Sequence, residues 1–528
     1  MKNKILSIIG AGLLILTAWS CRDQSDELMA YDHNDEIVFN DAETSFAAKF
    51  KIMWNGMNQN YAIWDYEAEQ GVDWDAMYNE FYPQFAALDQ RGDDETVTDD
   101  ELTELMKKFL GPLHDGHFYM TITNHKTGSS IRYQPSEDRL LARDDFDESL
   151  VSPSLQYYAN VANGEIETDG SGNPIAIEHS TTIPDIINVF ATTEGKGLQW
   201  ILTKMQELEA LSSPTDHETF LLQQLKNLRA DLSQINGKMI PEVVEYWNSL
   251  LTKYSFLEVP GFDYIDPAFA AKCGINVKYA LLKGNIAYFY LSSFNMTAFL
   301  DDNASQSTLN MSNPATQQHV QQMRQVWRSW FDDVQQLHKN GTLGGVIIDL
   351  RGNTGGNMDD SQYIVGSLVP SGGIFFGYQR YKRGTGRYEY SPLMPAIVSS
   401  LSEAHETITE PIVVMTNAQS VSMSETSTLC VKTLPNGTQI GNRSFGAICA
   451  LTGNETNSYN YAGFFGVEGV TPVFGHVPSM ASFTIDKKLI EAEGITPDIQ
   501  VDLDLTQFAA TGKDTQLDRA LQFIRTGQ

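Results

Sequence analysis

Gly345-Val346-Ile347-Ile348-Asp349-Leu350-Arg351-Gly352-Asn353-Thr354-Gly355-Gly356 runs from a continuous apolar stretch straight into a glycine-rich loop. A short Val/Ile run without polar alternation is the mark of a strand covered on both faces. The glycines permit positive φ and close backbone approach. The loop can therefore aim N–H groups at an anion, or simply make a tight turn. It lacks the Gly-Lys-Ser/Thr ending of a phosphate-binding P-loop. A second apolar run, Pro411-Ile412-Val413-Val414-Met415, precedes Ser420-Val421-Ser422-Met423-Ser424-Glu425 and a helix-like stretch. A hydroxyl at such a strand-to-helix turn lies at the sheet edge where ligands bind, and helix-start N–H groups can stabilise an oxyanion. Serines also cap helices, so this segment alone leaves capping and nucleophilic attack both open.

Further out, Val277 to Leu282 and Asn285 to Leu291 read as strands joined by a Lys283-Gly284 hairpin. Met323, Val326, Trp327, Trp330, Val334 and Leu337 mark one face of a long amphipathic helix. Alternation of this kind predicts an α/β core with a covered, mainly parallel sheet. Upstream, Phe46, Phe50, Met53, Trp54 and Met57 recur at helical spacing. A second helix is expected from Asp73 (Met77, Phe81, Phe85) and a third from Thr98, with Glu101 completing a capping box. This N-terminal bundle ends at Gly111-Pro112-Leu113-His114-Asp115-Gly116-His117, and Phe118 to Thr123 alternates like a strand. Residues 163–173 read as turns. Between Ile183 and Tyr254 helical spacing returns, with Leu221, Leu222, Leu225, Leu228 and Leu232 clear, as expected of a mostly helical insertion.

The chain has 528 residues and a formal net charge of −31, from 67 acidic and 36 basic residues. No basic surplus is available to neutralise phosphates, which argues against a nucleic-acid partner. At roughly 100–200 residues per domain several domains are expected. Lys2 and Lys4, the apolar run Ile5 to Trp19, and Ser20-Cys21 read as a signal peptide. A cysteine directly after the apolar run is expected to become a lipidated first residue, although Ala18 stands where such signals usually carry Leu. The body would then be tethered to a bacterial membrane, expected to be the outer membrane, on its periplasmic or surface face. Ordinary secretion and an uncleaved anchor stay open. Cys430 and Cys449 fit either a bridge or two buried thiols, and Cys273 is the remaining cysteine.

Taken together, the Asp349-Leu350-Arg351-Gly352-Asn353-Thr354-Gly355-Gly356 and Ser422-Met423-Ser424-Glu425 segments resemble a family of serine peptidases. It includes the C-terminal processing (tail-specific) peptidases, the tricorn core and interphotoreceptor retinoid-binding protein. Two further segments resemble it in the same order, Gly441-Asn442-Arg443-Ser444-Phe445-Gly446 and Glu491-Ala492-Glu493-Gly494-Ile495-Thr496-Pro497-Asp498-Ile499. The resemblance implies a Clp protease/crotonase-like catalytic core and a nucleophile at Ser422. It also implies oxyanion-hole N–H groups at Gly355 or Gly356 and at Met423. The tail-specific branch carries its lysine base directly after Phe-Gly, where this chain has Ala447. The tricorn-like branch carries a histidine in a Leu-x-Asp-Gly-His segment, which Leu113 to His117 match. By that resemblance His117 is the base, with Glu491 (Glu493 as alternate) orienting it, and His114 is structural. A serine hydroxyl needs such a base.

The expected organisation is a signal peptide over 1–21, a tether over 22–40, a helical bundle over 41–120 and the inserted module over 121–272. A catalytic core over 273–510 and a C-terminal helix over 511–528 complete it. No PDZ-like strand pattern interrupts it. The expected activity is peptide-bond hydrolysis of a protein or peptide substrate without metal or organic cofactor. The rival reading is a peptide- or lipid-binding lipoprotein on a degenerate peptidase scaffold.

Overall fold

The computed structural model describes residues 45–91, 97–146, 277–302, 314–384, 386–451, 463–504 and 514–528, with residues 263–264 and parts of 202–232 and 305–312. The expected signal peptide, Cys21, the tether, Cys273 and most of the inserted module lie outside these residues. From that module the helix Asp216–Leu232 is described, with Leu225 and Leu228 fully buried. Among the described residues no helix is long and apolar enough to cross a membrane.

The chain forms two compact units that do not follow chain order. One gathers residues up to Ala142 with Gly377–Ala396 and Gly446–Glu493. The other gathers Arg143–Phe376, Ile397–Phe445 and Gly494–Gln528. Glu491 and Ala447 therefore belong to the unit of the N-terminal helices.

In the first unit, Trp74–Leu88 and Asp99–Leu110 begin where the sequence predicts, and Phe46–Asn60 carries the first expected apolar face. Ser45, Asp73 and Thr98 accept the N–H groups of Ala48, Ala76 and Glu101. A short fourth helix, Trp64–Glu69, was not anticipated, because six residues are too few to show a period. The helices close on aromatic side chains. Phe109 stacks on Trp74 at 5.1 Å, and Phe50 meets Phe85 at 5.1 Å and Phe109 at 4.9 Å. A four-stranded antiparallel sheet covers them, in the order Phe464–Phe465, Val473–His476, Tyr119–Asn124, Ser129–Tyr133. Its register sets Tyr119 opposite His476. The Gly377–Ala396 segment is clamped to the helices by two bidentate ion pairs, Arg380 with Asp65 and Arg387 with Asp75.

The second unit is the expected α/β core. A seven-stranded mixed sheet runs Ile499–Gln500, Gly437–Gly441, Ile412–Thr416, Gly345–Asp349, Ile286–Leu291, Val277–Leu282, Asp263–Tyr264. All pairs from Ile499–Gln500 to Ile286–Leu291 are parallel, and the last two are antiparallel. Both faces are covered, as the uninterrupted apolar runs require. On one, Leu517, Ala520, Leu521 and Ile524 of the C-terminal helix Thr515–Thr526 pack with Ile347, Val413, Met415 and Ile440. On the other, Trp330 of the helix Pro314–Lys339 meets Phe289 at 4.8 Å.

A buried ion network ties the C-terminal helix to the strand ends. Arg351, 1% exposed, bonds Asp349 through Nε and Nη2, and Asp514, the helix N-cap, through both terminal nitrogens. Tyr288 donates to Asp349 Oδ2 at 2.6 Å and Gln516 accepts from Arg351 at 2.9 Å. Removing one partner strands buried carboxylates, so Arg351→Ala is expected to destabilise the folded chain by about 3–5 kcal/mol. Urea unfolding followed by tryptophan fluorescence would read it as a lowered midpoint.

Candidate active site

The nucleophile candidate sits in the second unit on a bent connection. The strand Ile412–Thr416 leads through Asn417–Val421 to Ser422, and the helix Met423–Thr433 follows at once. Ser422 has φ 58° and ψ −112°. That region is unfavourable for a residue with a Cβ and costs about 1–3 kcal/mol. The turn is nevertheless held from all sides. Val421 N–H donates to the Asn353 carbonyl at 2.9 Å, and Ser424 Oγ to Asn353 Oδ1 at 2.6 Å. The Ser422 N–H donates to Glu425 Oε2 at 3.2 Å, while Ser444 Oγ donates to Glu425 Oε1 at 2.6 Å and accepts the Ile495 N–H at 2.7 Å. Ser422 is thus the serine of the Ser-x-Ser-Glu segment placed on the strained residue, and Ser424 and Glu425 are its scaffold.

The glycine loop lies against this turn. Gly355 has φ 85° and Gly356 φ 140°. A Cβ on Gly355 would stand 2.5 Å from Ser422 Cβ, and one on Gly356 2.1 Å from the Phe294 carbonyl oxygen. Neither position has room for a side chain. Of the expected oxyanion donors, the Gly355 N–H is already spent on Asn353 Oδ1 at 2.8 Å. Among the described residues the N–H groups of Gly356 and Met423 meet no acceptor. Of the two glycines it is thus Gly356 that keeps an unbonded N–H, and the Asn353 side chain makes that difference. Asn353 has no role that the sequence motifs assign. An Asn two residues before a glycine at positive φ is the signal that could have assigned one.

The first unit carries the base candidate. Asp115 Oδ1 accepts the N–H groups of His117 and Phe118 at 2.8 and 2.9 Å, which turns the loop into the strand Tyr119–Asn124. His117 is a half-buried residue whose imidazole Nδ1 is shut off from solvent and has no hydrogen-bond partner. Burial, and then the charge of His476, lower its pKa to about 4. Glu491, 0% exposed, was expected to orient this ring, but it does not bond His117 Nδ1. Its carboxylate accepts backbone N–H groups instead, from Gly116 at 2.7 Å and from Ile448 and Cys449 at 2.9 Å each. Glycine is required at 116, since a Cβ there would lie 2.2 Å from Ala447 Cβ. The alternate, Glu493, forms a surface pair with Lys488. His114 is structural, as expected: its Nδ1 lies 2.7 Å from Glu67 Oε2 and its N–H donates to Glu67 Oε1. Cys449 is a buried free thiol in this unit, and Cys430 is one in the other.

The strain at Ser422 is measurable. Ser422→Gly removes it, Ser422→Ala keeps it, and both remove the hydroxyl. The glycine variant is expected to be the more stable by roughly 1 kcal/mol, after subtracting glycine's greater unfolded-chain entropy. A lower unfolding midpoint for the glycine variant than for the alanine variant would show that the turn is unstrained.

Residues 286–501 match the model of peptidase family S41. That span contains the strand Ile286–Leu291, the glycine loop, Ser422 and Glu491. No curated relative matches the chain. Among solved structures, a candidate peptidase from Parabacteroides merdae ATCC 43184 is similar at 16% identity, over 92% of this chain and 98% of that one, with TM-score 0.45. Mature CPAF complexed with lactacystin is similar at 10% identity, over 92% and 99%, with TM-score 0.44. The photosystem II D1 C-terminal processing protease is similar at 19% identity, over 44% and 47%, with TM-score 0.26. Over residues 286–501 the chain is thus similar to peptidase family S41, a family of serine peptidases.

Proposed function

We propose that the protein is a serine peptidase in which Ser422 attacks the carbonyl carbon of a peptide bond and His117 accepts the hydroxyl proton. The observation that carries this reading is the backbone of Ser422, a strained non-glycine residue (φ 58°) heading a helix inside the family's span. Strain of this kind persists where the surroundings over-determine it, as at catalytic residues. The tetrahedral oxyanion would be met by the N–H groups of Gly356 and Met423, each worth about 3 kcal/mol in a water-excluded site. His117 would then pass its proton to the leaving amine. The acyl-serine would be hydrolysed by water that His117 deprotonates in turn.

Two observations support His117 over a lysine. The position after Phe445-Gly446 is Ala447, and the Gly116 backbone of the histidine loop packs against it. Glu491 acts in this reading as a positioning residue. It holds His117 through the neighbouring amide of Gly116. The substrate class is protein or peptide. The Lys2–Cys21 segment supports export and a lipid anchor in the cell envelope.

A fluorophosphonate probe tests the chemistry. It is expected to label the wild-type chain at Ser422, and to fail with Ser422→Ala and with His117→Ala. A folded wild-type chain that takes up no probe would instead be a binding module on this scaffold. The pH dependence has a definite sign. The base works when neutral, so reactivity holds above its pKa and falls below it. With His117 lowered to about 4, labelling is expected to persist at pH 5, well under the ordinary histidine limb of about 6.5. A rate halved near pH 6.5 would show a solvated base.

A further inference from the structure

We propose that His476 is a positioning residue for His117, holding the main chain of the base from the facing strand. This rests on the reading of His117 as the base. The two residues are 359 positions apart in sequence, and the sheet brings them together: Val473–His476 pairs antiparallel with Tyr119–Asn124, with Tyr119 opposite His476. His476 Nδ1 lies 3.0 Å from the His117 carbonyl oxygen. A carbonyl only accepts, so Nδ1 carries the hydrogen, and that bond selects one tautomer of the ring. The ring is itself clamped. It stacks on Tyr119 at 4.5 Å and 16°, and meets Phe464 at 5.5 Å. Behind it, the Arg132 guanidinium covers Tyr119 at 3.8 Å, and the Tyr119 hydroxyl is 3.4 Å from Glu468. A side chain this fixed transmits position rather than merely filling space.

His117 is then held at both ends of its peptide unit. Asp115 takes its N–H at 2.8 Å, and His476 takes its carbonyl. The side chain gains what its own Nδ1 lacks, a defined origin for the imidazole. The charged groups facing the pair are Asp115 and Glu491, Arg139 on the carbonyls of Leu113, His114 and Asp115, and Arg132 and Glu468 beyond Tyr119. A positive ring at 476 also opposes protonation of His117.

The second-order rate of Ser422 modification by a fluorophosphonate, measured across pH, separates this from a packing role. His476→Phe keeps an aromatic ring and loses the donor, and is expected to lower the rate about fivefold at neutral pH, the equivalent of one hydrogen bond. His476→Asn can place an amide nitrogen where Nδ1 stood, and is expected to restore most of that rate. Both substitutions remove the ring's charge, so in both the acid limb is expected to move to higher pH. A wild-type rate and limb in folded His476→Phe, with His117→Ala still inactive, would overturn the proposal alone. Equal losses in Phe and Asn variants with a matching fall in melting temperature would reduce His476 to packing. If His117→Ala labels at the wild-type rate, the base assignment fails and takes this inference with it.

Discussion

The Asn353 carboxamide bonds three segments in one buried place. Its Nδ2 donates to the Leu291 carbonyl at 2.6 Å, and its Oδ1 accepts both the Gly355 N–H at 2.8 Å and the Ser424 hydroxyl at 2.6 Å. Leu291 ends a sheet strand, Gly355 belongs to the glycine loop, and Ser424 opens the helix behind Ser422. One side chain thus references the loop and the serine turn to the sheet. A buried amide that loses one partner keeps the desolvation cost of the others, so the arrangement is held as a unit. The main chain of Asn353 adds a further tie, since its carbonyl accepts the Val421 N–H. With the loop and turn fixed, Ser422 has no relaxed backbone to escape to, and its positive φ follows.

Charge plays the corresponding role at Glu491. A carboxylate with no exposure is costly unless its lone pairs are met. Here they are met by three amides from two loops, Gly116 on one side and Ile448 and Cys449 on the other. The anion organises the backbone around it, as an anion does in a nest of N–H groups. The same economy explains Asp115, whose Oδ1 caps the turn into Tyr119–Asn124 while its other oxygen lies unbonded near Glu491 and Cys449. Burial and the Glu491 charge raise the Asp115 pKa well above the ordinary carboxylate range. Three acidic groups packed together favour a shared proton over a second full charge.

Much of this was legible in the chain. The doubly covered strands announced themselves as apolar runs at Gly345–Asp349 and Ile412–Thr416, because a strand buried on both faces has no polar side to show. The helix starts at Asp73 and Thr98 were legible because capping is a bond to an amide three residues on. Ser422, Gly356 and His117 were singled out by motifs whose spacing encodes the same local turns. The short helix Trp64–Glu69 was not legible, and neither was the Glu67 carboxylate that anchors His114 and Tyr61 from it.

By itself the sequence determined what neighbours along the chain can determine: strand and helix periods, capped ends, positions where only glycine fits, and the serine set at a helix start. Only the tertiary structure decided which of two adjacent glycines keeps a free N–H, because the answer depends on Asn353 folding back onto Gly355. Only it showed that Glu491 spends its oxygens on backbone amides, and that His476 reaches the His117 carbonyl from a paired strand. The reason is physical. Backbone conformation is set largely by local sterics, whereas the partner of a buried polar group is whatever packing brings within about 3 Å, and residues hundreds of positions apart leave no periodic trace of that meeting.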